Sequence, residues 1–183
     1  MRNRRLSFVL DVLFVLAASI GCGGNPYGYA PEYQMLSDEA PYNERATELS
    51  YEEVRRDPEG HQDRTLGWFG VVTSFKQEPD GKARIGLSLR FHQERHLCGG
   101  TTDDTCRVTV SERSGGPFTA VIKVRPEDLT GSTRLNVGSL VRAYGHVNGD
   151  LDDEGGPIVI ADYYRYWPHG AYVTTAARSS MRR

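Results

Sequence analysis

The 183-residue sequence has only three cysteines, Cys22, Cys98 and Cys106. So few exclude a disulfide-knit miniprotein, whose short chain is dense in cystines. Charge of one sign is also missing, with 22 basic residues against 24 acidic ones and a formal net charge of −2. That balance disfavours nucleic acid as a partner, because Lys and Arg must neutralise its phosphates. Strands alternating with long helical patterns are absent, which excludes a doubly wound sheet. There is no G-x-S-x-G, no H-E-x-x-H, no phosphate-cradling glycine loop and no C-x-x-C. No Ser, His or Asp stands out as a nucleophile or base, so neither enzymatic activity nor a cofactor is expected.

One apolar run is long. It covers residues 6–20 and follows Arg2, Arg4 and Arg5. A charged start, a short apolar middle and small residues after it make a secretory leader. The run is shorter than the roughly 20 apolar residues a spanning helix needs, and it contains Asp11. Ser19-Ile20-Gly21-Cys22 resembles the bacterial lipobox, in which a small residue precedes a cysteine that is diacylated and becomes the new N-terminus. The resemblance implies a signal peptide over residues 1–21 and a lipid on Cys22. By likeness to the lipoprotein sorting rule, Gly23 in place of an aspartate implies a periplasm-facing position on the outer membrane. Removing residues 1–21 takes away three positive charges and one negative charge, so the formal charge moves from −2 to −4. With Cys22 lipidated, Cys98 and Cys106 form an even pair that an exported compartment can oxidise. The expected disulfide closes the loop over residues 99–105 and contributes very roughly 2 to 3 kcal/mol.

Residues 22–49 interleave glycine and proline with Tyr27, Tyr29, Tyr33 and Tyr42, without helical or strand periodicity. Such a stretch reads as a flexible tether, although its tyrosines leave open packing on the domain or a partner's surface. Residues 176–183 read as a disordered basic tail. The ordered domain is expected over residues 50–175. Ser50-Tyr51-Glu52-Glu53 has the form of a capping box, and Pro58 stops the helix it begins. Six runs then read as strands: residues 65–75, 83–91, 106–111, 118–124, 140–147 and 158–166. Pro79-Asp80-Gly81, Ser114-Gly115-Gly116-Pro117 and Asn148-Gly149 supply turns between them. Gly67, Gly70 and Gly145 lie inside strands, where glycine marks a bulge or bend. The expected architecture is mainly β: a small OB-like Greek-key barrel of five to six strands, with a short N-terminal helix and a one-turn helical insert near Pro126.

The opening "SYEEVRRDPEGHQDRTLGWFGVV" resembles that of small bacterial OB modules. "VGSLVRAYGHVNG" and "PIVIADYYRYWP" are similar to the closing strands of the starvation-inducible outer-membrane lipoprotein (Slp) family, whose tyrosine-rich last strand ends in Trp. This resemblance implies a fold and an address, and it supplies no catalytic residue.

Tyr163, Tyr164, Tyr166 and Trp167 are the candidate binding residues. Tyr164 and Tyr166 share one face of the last strand, while Tyr163, Arg165 and Trp167 share the other. One face must enter the barrel, and the other could stack on a sugar ring, a base or a partner's proline. His92, His96, Cys98 and Cys106 offer an alternative, metal-binding reading, although H-x3-H-x-C-x7-C matches no common structural zinc pattern. Asp150, Asp152 and Glu154 begin like a calcium loop, but Ala161 stands where the closing acid belongs; an acidic hairpin turn between the last two strands explains them without calcium. The expected function is a non-enzymatic, lipid-anchored envelope module that binds a protein or glycan. The alternative is a metal-binding lipoprotein that uses the loop from His92 to Cys106.

Overall fold

The computed structural model describes residues 33–93 and 108–176. The leader, Cys22, and the pair Cys98 and Cys106 lie outside the described residues, as do His96 and residues 177–183. Two short helices come first, α1 (Ala40–Arg45) and α2 (Tyr51–Arg56). The expected capping box is present at α2: the Glu53 amide donates to the Ser50 hydroxyl at 3.3 Å, and the Ser50 amide donates to the Glu53 carboxylate at 2.8 Å. Tyr51 and Val54 anchor this helix in the core.

Seven strands follow: β1 (Thr65–Gln77), β2 (Lys82–Arg90), β3 (Val108–Val110), β4 (Pro117–Lys123), β5 (Leu140–Leu151), β6 (Pro157–Trp167) and β7 (Tyr172–Thr174). β1, β2, β4, β6 and β5 close a barrel in that order. Every seam is antiparallel except β4 with β6. Numbered within the barrel, this is the order 1-2-3-5-4 of an OB-like Greek key, and the single helical turn Pro126–Leu129 lies between the third and fourth barrel strands. The mainly β, five-strand barrel is therefore as the sequence predicts. The described part of the run expected over residues 106–111 does not join it: this is β3, which pairs in parallel with β7, a strand too short to be read from periodicity.

Alternation builds the core. Leu66, Trp68 and Val72 of β1 point inward, as do Ala83, Ile85, Leu87 and Leu89 of β2, Phe118, Ala120 and Ile122 of β4, and Val141 and Ala143 of β5. β6 changes phase partway. Tyr144 pairs with Tyr163 and Gly145 with Ala161, which leaves Asp162 as an extra residue. Before this bulge Val159 faces the core; after it Tyr164 and Tyr166 do. Gly145 is required there, because an added Cβ would fall on the Ile160 carbonyl oxygen, 2.7 Å from the Ala161 Cα. Glycine as a bulge signal thus holds at Gly145, whereas Gly67 and Gly70 make room for the rings of Tyr144 and Phe118. The acidic hairpin between β5 and β6 is closed by Asp152, whose carboxylate accepts from the Gly156 amide at 2.8 Å and the Thr119 hydroxyl at 2.6 Å. The resemblance to a calcium loop is accounted for by this cap.

Candidate functional site

β2 runs beside β1 only as far as the pair Phe69 and Arg90. Beyond it the chain turns toward β3: His92 bridges to Val110, the Gln93 amide donates to the Thr109 carbonyl at 2.9 Å, and the Ser111 amide donates to the Phe91 carbonyl at 2.8 Å. The two strands part, and residues 46–50 approach the freed start of β1. There the Thr47 amide donates to the Thr65 carbonyl at 2.7 Å, and the Trp68 indole donates to the Leu49 carbonyl at 3.2 Å. Between them lies a cleft of about 660 Å³, whose walls include Trp68, Phe69, Arg90, Phe91, His92 and Arg142. Phe91 is 54% exposed at the lip. Aromatic walls with guanidinium and imidazole groups suit binding by stacking and charge-assisted hydrogen bonds.

Beside the cleft, residues 33–45 lie across the outer face of β1, β5 and β6. Phe69, Leu140 and Trp167 form the apolar floor of that face. Tyr33 meets Phe69 and Trp167, with ring centroids 5.8 Å away in each case. Glu39 is fully buried. Its carboxylate accepts from the hydroxyl of Tyr33 and, at 2.8 Å, from that of Tyr144. It pairs with Arg165 at 3.1 Å and Arg142 at 3.5 Å. Arg142 also donates to the Asn43 side-chain oxygen at 2.8 Å, and Arg165 to the Gln34 carbonyl at 2.8 Å. Burial pushes the Tyr33 and Tyr144 phenols well above the usual tyrosine range, with Arg142 pulling the other way. Both therefore stay protonated as donors to the carboxylate.

No protein-family model matches this chain, and no curated protein does.

The sequence-predicted aromatic platform is covered. Tyr164 and Tyr166 fill the barrel, where their hydroxyls donate to the Asp128 carboxylate and, at 3.0 Å, to the Thr133 carbonyl. Trp167 is fully buried on the outer face, and Tyr163 is half-buried and stacked on Tyr42 at 4.9 Å. The two-faced reading of β6 is right, but neither face of it is open. The cause is the segment expected as tether, which from Tyr33 onward packs on the barrel through Glu39 and its own tyrosines. Of the metal-binding alternative only His92 is described, and its ring stacks on Phe69 at 5.4 Å. Among the described residues no group of three or more His, Cys, Asp or Glu could hold a metal.

Glu39, Arg142 and Arg165 were not singled out from the sequence. A signal was there for the arginines: each sits within an apolar and aromatic strand, at the same parity as a neighbouring ring.

Proposed function

We propose that the protein is a non-enzymatic binding module of the bacterial cell envelope, held by a lipid on Cys22 at the periplasmic face of the outer membrane. It takes a protein or glycan partner in the cleft where β1 and β2 part. The cleft carries this reading: it combines an exposed aromatic lip at Phe91 with Arg90, His92 and Arg142 in its walls. A sugar ring or a partner's side chain stacks on such a lip, while guanidinium donors fix its orientation. The lipobox-like Ser19-Ile20-Gly21-Cys22 supports the anchor. The likeness of residues 137–149 and 157–168 to the Slp family's closing strands supports the address.

A photo-crosslinking residue placed at position 91 in cells tests the cleft. The expected result is an adduct with one discrete envelope component. The same residue at Leu151, exposed on the far hairpin, is expected to give none. Diffuse or equal labelling at both positions would remove the cleft from consideration. Separately, Cys22→Ser is expected to move the protein from the membrane to the soluble periplasmic fraction.

A further inference from the structure

Arg142 and Arg165 stand opposite each other in the register of β5 and β6. Like charges directly opposed across a sheet are destabilising. Glu39 supplies the missing counter-charge, and it comes from outside the barrel. Besides its bonds to that segment, each guanidinium is also held by rings of the barrel itself. Arg142 lies 4.7 Å over the rings of Phe69 and Tyr144, and Arg165 lies 4.7 Å over Trp167. All three rings belong to barrel strands, as does the Tyr144 hydroxyl that donates to the carboxylate. The Trp167 indole N–H, buried on the same face, has no hydrogen-bond partner among the described residues.

The visiting segment is seated lightly. Over residues 33–50, Glu39 is the only buried residue. Met35 and Leu36 are exposed, and α1 buries nothing. A segment docked by one carboxylate, a few rings and the Asn43 and Gln34 hydrogen bonds opens locally more easily than the barrel beneath it unfolds.

We propose that Arg142, Arg165 and Tyr144 form a carboxylate-recognition site on the barrel, that Glu39 fills it as an internal stand-in, and that an acidic peptide segment of a partner protein takes the site by displacing residues 33–45. The stand-in defines the partner's chemistry: a carboxylate for the two guanidiniums, an aromatic ring to lie on Phe69 and Trp167, and a main-chain carbonyl for Arg165. This site adjoins the cleft and shares Arg142 and Phe69 with it. It stands whether or not the cleft has a partner.

The test uses the full chain, its Glu39→Ala and Glu39→Gln variants, and a labelled synthetic peptide of residues 33–46 as the probe. Amide hydrogen exchange over residues 33–47 of each variant is expected to rise by about tenfold or more while β1 and β5 stay protected, in keeping with the loss of charge-assisted hydrogen bonds. The peptide is expected to bind both variants at least about tenfold more tightly than it binds the parent chain. The same peptide with glutamine in place of its Glu39 is expected to lose that gain. Unchanged exchange would overturn the proposal, because Glu39 would not seat the segment. Raised exchange without tighter peptide binding would also overturn it, because the vacated face would not be a site. A gain that survives the glutamine peptide would show that the carboxylate is not what is recognised. Glu39→Gln keeps the side chain's shape, so the readout is available if the alanine variant does not fold.

Discussion

At Gly145 the barrel has no space for a methyl group, and the atoms that would meet it are main chain. A backbone obstacle cannot swing aside as a side chain can. Gly145→Ala is therefore expected to lower stability by about 1–3 kcal/mol, the usual cost of overpacking, read as a fall in the urea midpoint at unchanged slope. Tyr164 is a second single-residue test. Its hydroxyl donates to Asp128, which Arg125 also pairs at 2.7 Å. Burial and that hydrogen bond push its pKa from 10.0 up to about 12. The folded state thus holds its proton where the unfolded chain has lost it. The stabilisation is complete below about pH 10 and is lost as pH rises through about 12. Tyr33 and Tyr144 act in the same direction. Thermal midpoints are expected to fall steeply above about pH 10, and less steeply in Tyr164→Phe. At neutral pH that variant is expected to be weaker by about 1–3 kcal/mol, because Asp128 loses a buried donor. At this scale the sequence told which residues are apolar. It did not tell which arginine is buried, because burial of Arg165 depends on a carboxylate 126 positions away.

The strands themselves were legible because alternation and turn chemistry are local. Residues 83–91 were read as a strand, and Lys82–Arg90 is one; Pro126–Leu129 is the expected single turn. The elements that were missed have no periodicity to show. α1 is six residues long and lies against β1 and β5, and β7 is three residues long and pairs with β3. Such elements are held by tertiary contact rather than propensity. The approach of residues 46–50 to β1 depends in turn on Gly67, where a Cβ would sit 2.8 Å from the Tyr144 ring and 3.3 Å from the Ala46 Cβ. Gly67→Ala is expected to loosen residues 33–50 selectively. Limited proteolysis checks this: early cleavage within that segment, with the remaining barrel resistant, is the expected outcome. Equal lability throughout would show that the segment and barrel form one cooperative unit.

For the molecule as a whole, closure is uneven. β1 meets β5 along residues 65–71, whereas the parallel seam of β4 with β6 pairs only Thr119, Ala120 and Val121 with Ile158, Val159 and Ile160. Parallel pairing is also slightly weaker per residue. Amides at this seam are expected to exchange before those between β1 and β5, and pulse-labelled exchange read by mass spectrometry would show that order. Gly156 guards one end of the seam: a Cβ there would strike the Pro117 carbonyl oxygen and approach the Phe118 Cα to 3.2 Å. The barrel order could be argued from the sequence because few topologies join five short strands with one helical insert. The candidate cleft could not, because it arises where two correctly read strands separate.

Asp162, the unpaired residue of β6, also bears on inheritance. Losing its codon would slide everything after it by one place, turning Arg165 toward the apolar interior and Tyr164 and Tyr166 away from it. The exposed tip of the preceding turn, Asp153 and Glu154, lies between the Asp152 cap and Gly156, so a codon gained there lengthens a loop without shifting the register of β6. The gene therefore tolerates a change of length in β6 far less than one in the turn before it. A library of single-codon deletions selected for folded protein should be depleted across residues 162–167 and populated at exposed positions in the turn before them.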